Sequence, residues 1–344
     1  MLIAGDIGGT KTDLAIFSNE AGPHSPLEQT KIHSADYPSL QTMVKEFLAK
    51  AKRPVDRACF AVAGPVINGR VKTTNLPWVI EELSLAQELN LNRNSVHLIN
   101  DLEAIARAIP ILRPSDLTTI NAGEAVPGGA IAVIAPGTGL GESFLTWDGS
   151  TYLAHSSEGG HSDFAPTDAR QVRLLEYMFT LFDHVSFEHV CSGIGIPHLY
   201  KYLRDVEHLP EIPELAKRID SEKDPSFAII NLGIDPASPS ELCRATLDLF
   251  LSILAGEAGN LALKFLATGG VYLAGGVAVH TLPLLKEPAF FQRFKSKGRF
   301  AELMGRIPLH VVVTPAGLMG AATCGLENSI PDFRTSVRAE VGSP

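Results

Sequence analysis

The chain has 344 residues, 45% of them hydrophobic and 19% charged, with a formal net charge of −9. One hydrophobic core rarely serves so long a chain, so two domains of roughly 100–200 residues each are expected. The acidic balance argues against nucleic acid or an anionic membrane as partner, because both recruit basic surfaces, and it means that a polyanionic substrate needs local donors. Cys59, Cys191, Cys243 and Cys324 fall at no metal-ligand spacing, which predicts free thiols in a reducing cytoplasm. Asp6 comes too early for an apolar signal core, and the apolar stretch 247–282 is interrupted by Glu257, Asn260 and Lys264, so neither a signal peptide nor a membrane span is expected.

In residues 2–17, LIAGDIGGTKTDLAIF, apolar runs flank Gly8-Gly9 and predict a β-hairpin. Leu40, Met43, Val44, Phe47 and Leu48 form the apolar stripe of a helix over 39–51 that Ser39 caps. A strand over 58–64, a loop through 73–78, a helix near 79–90 and a strand over 96–100 complete one α/β unit. A second hairpin, AIAVIAPGTGLGESFLTW (130–147), repeats the pattern of the first and suggests a distant internal duplication. Beyond it the chain reads as mainly helical. A helix capped by Thr167 runs to Phe182, a proline-rich irregular stretch covers 207–240, and Ser240 caps a long helix reaching Leu266. Residues 271–279 read as a strand that turns at Gly275-Gly276. A strand over 310–313 precedes a helix opened by Pro315, and the polar residues after Leu326 are expected to fray.

Three stretches carry chemistry. In HLINDLEAIARAIP (97–110), Asn100 and Asp101 stand where a strand passes into a helix. A carboxylate there is either a helix cap or a functional group at the strand end where open α/β sheets place their ligands. GDIGGTKT (5–12) and PGTGLGE (136–142) are neither dinucleotide fingerprints nor P-loops. Facing each other, such turns can hold a polyphosphate on backbone N–H groups, with Thr10 and Thr138 adding hydroxyls and Asp6 holding Mg²⁺ directly or through water. Lys11 is as readily a solvated charge as a phosphate contact. In SSEGGHSDFAP (156–166), Glu158 and His161 make a poor zinc site without a third ligand but suit polyol hydroxyls. Glu188 on its own reads as a solvated carboxylate.

Taken in order, GDIGGT, GPV (64–66), TNLPW (74–78), LINDLEA (98–104), PGTGLG (136–141), EGGHSDFAP (158–166), SFEHVCSG (186–193), LAGG (273–276) and AGLMGAA (316–322) span nearly the whole chain. The ordered set resembles bacterial glucokinases of the hexokinase-like, actin-related ATPase superfamily. The resemblance implies an α/β, two-domain actin-like ATPase (ribonuclease H-like) fold with its active-site cleft between the domains. It implies ATP-dependent phosphorylation of glucose to glucose 6-phosphate, feeding glycolysis, with ATP and Mg²⁺. It makes Asp101 the catalytic base and Asn100 a sugar-hydroxyl ligand, and it assigns Glu158, His161 and Glu188 to the hexose. The turns holding Gly8, Gly9, Thr10 and Lys11 and Gly137, Thr138 and Gly139 become phosphate loops, and Gly275 and Gly276 lie near the adenosine. Many members carry Asn and, two residues later, Arg after the first Gly-Gly-Thr, where this chain has Lys11 and Asp13.

The domain expectation is 1–111 plus 306–327 for a small α/β domain, 112–305 for a large one, and a flexible tail over 328–344. The family is often homodimeric, although no exposed heptad argues for a dimer here. The alternatives are a related hexose or N-acetylhexosamine kinase of the superfamily and a non-catalytic sugar sensor. The chain lacks the closely spaced cysteines of the zinc-containing repressor, open-reading-frame and kinase (ROK) group. Because phosphoryl transfer passes through a loose transition state, a carboxylate of ordinary strength suffices as base.

Overall fold

Two hairpins organise two sheets. The computed structural model describes residues 1–73, 76–237 and 240–327, so the expected tail over 328–344 lies outside the described residues. In the first sheet, β1 (Leu2–Ile7), β2 (Lys11–Phe17) and β3 (Glu28–His33) form an antiparallel meander. Its other strands are β4 (Arg57–Val62) and, beyond a separate ribbon of β5 (Arg70–Lys72) and β6 (Val79–Glu81), β7 (Val96–Asn100). The sheet order is β3-β2-β1-β4-β7, with β1, β4 and β7 parallel. The helix expected near 79–90 begins only after β6, as α2 (Glu82–Glu88).

Strand alternation gives this sheet two unlike faces. Ile3, Leu14, Ile16 and Phe60 pack with Leu40, Met43 and Val44 of α1 (Leu40–Ala51), whose Ser39 Oγ accepts the Thr42 N–H. The opposite face carries smaller residues, Ala4, Ala15, Cys59 and Ala61, which pack with Ala104 of α3 (Asp101–Ala108) and with Ala321 and Ala322 of a helix at Ala316–Leu326. Small side chains let these helices lie close on the sheet.

The second sheet repeats the design. Strands β9 (Ile131–Pro136), β10 (Leu140–Trp147) and β11 (Tyr152–Ser157) form its meander, and β12 (Gly270–Leu273) and β13 (Leu309–Val312) continue it in parallel with β9. An antiparallel edge strand, β8 (Leu117–Asn121), adds to β13. The order is β11-β10-β9-β12-β13-β8, and its first five members match the first sheet strand for strand. Contacts divide the chain into two compact units, Met1–Pro110 with the segment from Pro315, and Ile111–Thr314. Residues 306–314, expected with the first unit, belong to the second because β13 pairs on both sides within its sheet.

Helices of the second unit build one core. They are α4 (Ala169–Met178), α5 (Ile196–Asp205), α6 (Pro213–Ser221), α7 (Pro225–Ile234), α8 (Glu241–Lys264), α9 (Gly276–His280), α10 (Leu282–Leu285), α11 (Pro288–Lys295) and α12 (Ala301–Arg306). Asp168, and not Thr167, caps α4 by accepting the Gln171 N–H, and Thr167 Oγ1 donates to the Gln171 side chain. The stretch expected to be irregular holds α6 and α7, each opened by a proline at its first turn. Ser240 caps α8 through Cys243 N. By length and composition α8 could span a bilayer, but Leu247, Phe250, Leu254 and Ala258 are buried in this core. All four cysteines are buried and unpaired.

Candidate functional site

In the first unit β1 delivers Asp6 to the mouth of the hairpin, directly opposite Asp13. The turn is closed by Gly8 N–H on Lys11 O at 3.1 Å and held from outside by Ser34, whose Oγ donates to Gly8 O at 2.7 Å and pairs with Thr12 Oγ1 at 3.0 Å. Thr10 and Lys11 are exposed. The Asp6 carboxyl is pushed up to about 7, by burial first and then by the carboxylates of Asp101 and Asp13. Gly317 of the Ala316–Leu326 helix sits so close that a Cβ there would meet Asp6 Oδ2. The Asp6 carboxyl, a hard oxygen donor at the hairpin mouth, is the group here that suits a hard divalent cation, held directly or through water.

Beside it, β7 runs straight into α3. Asn100 Oδ1 accepts the N–H groups of Leu102 (2.8 Å) and Glu103 (3.3 Å), while Asn100 Nδ2 donates to Gly64 O at 3.1 Å. Capping therefore falls mainly to Asn100. Asp101, the first residue of α3 and half-exposed, shares the Leu102 N–H, at 3.0 Å. Of the polar hydrogens of Asn100, one N–H remains for a substrate, its oxygen being committed to the helix.

In the second unit the turn between β9 and β10 is clamped by backbone. Gly193 N donates to Gly137 O at 2.8 Å and Ile194 N to Thr138 O at 3.1 Å. Glu188 braces it from a third side, since its Oε2 accepts the Leu140 N–H at 2.9 Å and lies where a Cβ on residue 139 would be. A side chain at position 139 would therefore push Glu188 off the Leu140 N–H. Gly275, at φ +85°, leads into α9 and lies against Pro136, so only glycine suits both its backbone and its neighbour. The strand expected over 271–279 accordingly ends at Leu273.

The loop after β11 completes the arrangement. His161 Nε2 lies 3.9 Å from Glu158 Oε2 and its Nδ1 3.9 Å from Glu188 Oε1. Glu158 and His161 are exposed, Glu188 largely covered. An imidazole between two carboxylates offers donors and acceptors in one small area, suited to neighbouring hydroxyls of a polyol. Among the described residues no three His, Cys, Asp or Glu side chains are placed to ligate one metal ion. Glu188, read from sequence as the weakest of the three, turns out to join the sugar-type cluster to the glycine turn. Ser34 carried no sequence signal of its own, whereas Gly317 and Gly193 lay in the AGLMGAA and SFEHVCSG motifs without a role assigned to them.

A family model described as Glucokinase matches residues 3–328. A glucokinase from a Nostoc species is 42% identical over 341 residues, covering 94% of this chain and 98% of that protein. The crystal structure of a glucokinase from an Antarctic psychrotroph superposes with a TM-score of 0.80 at 34% identity, covering 95% of this chain and 99% of that one. A ROK family glucokinase from Streptomyces griseus, solved with glucose and AMPPNP, shares the fold at 19% identity and a TM-score of 0.62, over 94% of this chain and 98% of its own.

Proposed function

The chain belongs to the glucokinase family, and we propose that its reaction uses a carboxylate base, a hexose-binding cluster and glycine turns that hold the phosphates. The protein is an ATP-dependent hexose kinase of the actin-like ATPase fold that converts glucose to glucose 6-phosphate. In our reading Asp101 is the base. Its carboxylate takes the proton of the sugar 6-hydroxyl as that oxygen bonds to the γ-phosphorus and the bond to the β-phosphate oxygen breaks, releasing ADP. Asn100 fixes the start of α3, and so fixes Asp101, while donating its remaining N–H to the sugar.

Glu158, His161 and Glu188 bind the hexose. The turns at Gly8, Gly9, Thr10 and Lys11 and at Gly137, Thr138 and Gly139 hold the phosphates on N–H groups, and Gly275 and Gly276 border the adenosine. Asp6 would hold Mg²⁺, which when bound neutralises charge on the transferring phosphoryl group. Positioning supplies most of the rate in such a transfer, because little covalent chemistry is left for the protein.

The observation that carries this reading is the double engagement of Glu188, on the Leu140 N–H of the phosphate turn and beside His161 of the polyol cluster. Its test is a coupled assay with ATP, Mg²⁺ and a hexose panel on wild type and His161→Ala. Glucose should be preferred over N-acetylglucosamine, and the variant should raise the glucose KM by the equivalent of about 1–3 kcal/mol, the cost of leaving a buried polar partner unpaired. An unchanged glucose KM removes His161 from the sugar site.

A further inference from the structure

Glu142 lies on β10, two residues beyond the amide that Glu188 holds, and no step above uses it. It is 2% exposed, and Glu257 of α8, buried nearby, is 0% exposed. Register places Glu142 opposite Ser157, the last residue of β11, from which the loop of Glu158 and His161 departs. That loop folds straight back onto it. Gly159 donates to Ser157 Oγ at 3.0 Å and lies so near Glu142 that a Cβ on residue 159 would overlap Glu142 Oε2. The other carboxyl oxygen, Oε1, is buried with no hydrogen-bond partner.

We propose that Glu142 is a positioning residue for hexose binding, its carboxyl being the platform that sets Gly159 and, through it, Glu158 and His161. This rests on the reading that those two residues and Glu188 hold the sugar.

The platform works because it is neutral. From α8 it is faced by Glu257 and Lys264, and Glu257 already accepts from Lys264 Nζ at 3.1 Å and Asn260 Nδ2 at 2.7 Å. Lys297, just past α11, is engaged by Gly256 O at 2.8 Å and by Asn260 Oδ1. The Cys191 thiol, its own ionisation pushed up by burial and these two glutamates, brings no positive charge. The titratable groups of the loop itself, Glu158 and His161, flank Gly159 in sequence and are exposed. Among the described residues no cation is hydrogen-bonded to Glu142, and burial first, then Glu257, push its carboxyl up to about 8 against a smaller pull from Lys264. A buried neutral acid costs far less than a buried carboxylate. Once ionised, the group must be hydrated, and water entering beneath Gly159 lifts the loop.

The test is the pH dependence of the glucose KM in wild type, Glu142→Gln and Glu142→Ala, with the ATP KM and kcat as controls and His161→Ala alongside. The neutral fraction of a group titrating near 8 falls about tenfold between pH 7 and pH 9, so the wild-type glucose KM should rise by about that factor with little change in the ATP KM. Glu142→Gln, a neutral platform of the same size, should hold its pH 7 value throughout. Glu142→Ala should start about tenfold high at pH 7, with Gln restoring what Ala loses. A Gln variant whose glucose KM rises in parallel with wild type, or an Ala variant with the wild-type glucose KM, overturns the proposal. If His161→Ala leaves the glucose KM unaltered, the sugar-site reading fails first; if only the Glu142 variants behave as wild type, the platform alone is wrong.

Discussion

Replacing Asn100 with alanine removes two separate things. The first is the helix cap, since Oδ1 accepts the Leu102 and Glu103 N–H groups at 2.8 and 3.3 Å, and its loss costs about 1 kcal/mol. The second is the 3.1 Å tie from Nδ2 to Gly64 O in the half-buried loop after β4, worth about 1 kcal/mol more. Asn100→Ala should therefore lose about 2 kcal/mol of stability, read from the urea midpoint at unchanged m. Serine caps nearly as well as asparagine but cannot reach Gly64, so Asn100→Ser should lose about 1 kcal/mol. Turnover should follow the cap, because Asp101 is the next residue and displacing a reacting group by about 1 Å costs on the order of 10²-fold. An alanine variant within about 0.5 kcal/mol of wild type, or a serine variant as damaged as alanine, refutes the division of labour between Asn100 and Asp101.

Asp6 gives a pH signature. Because its carboxyl is raised to about 7, protons compete with Mg²⁺ below that value, and the Mg²⁺ requirement of the reaction should grow by up to about tenfold per pH unit as pH falls below 7. In metal-free protein the sign reverses: native Asp6 keeps its proton longer than unfolded Asp6, so stability declines from about pH 4 to about pH 7, and Asp6→Asn should flatten that decline in chelator-treated denaturation curves. A slope that persists in the variant excludes Asp6 as its source. Glu188→Ala should raise both the glucose and the ATP KM, since it deletes the acceptor of the Leu140 N–H as well as the charge beside His161. Glu188→Gln, which keeps an acceptor oxygen, should raise the glucose KM by the larger factor; equal effects of the two variants on the ATP KM contradict the brace.

Both hairpins were legible because a glycine turn between two apolar runs has few other readings; their repetition suggested a duplication, but the matching strand orders of the two sheets depend on pairings distant in sequence. The caps at Ser39 and Ser240 were legible for the same local reason. Prolines misled. Pro213 and Pro225 open helices, where a missing N–H costs nothing, and Asp224 caps the second by accepting from Ser226 and Phe227, yet the composition around them reads as a loop. At 271–279 the apolar run continues past Gly275, but the backbone reverses into α9 because Pro136 leaves no room for a side chain there.

The candidate site was legible by motif and not by role. That Asn100 and not Asp101 carries most of the cap depends on which oxygen points back along α3. That Glu188 braces the glycine turn depends on a contact 48 residues distant in sequence. Glu142 and Glu257 meet only because a strand and a helix more than a hundred residues apart pack together, and a buried glutamate looks like any other in one dimension.

The central claim is that Asp101 accepts the hydroxyl proton. Asp101→Asn keeps the size of the side chain and an oxygen to share the Leu102 N–H, but an amide cannot act as the base. Its kcat for glucose phosphorylation, measured with saturating ATP and Mg²⁺, should fall by about 10²–10⁴, while calorimetry gives a glucose Kd within about tenfold of wild type, equivalent to about 1.4 kcal/mol. Full turnover in the variant would reduce Asp101 to a minor partner in the helix cap and contradict the account.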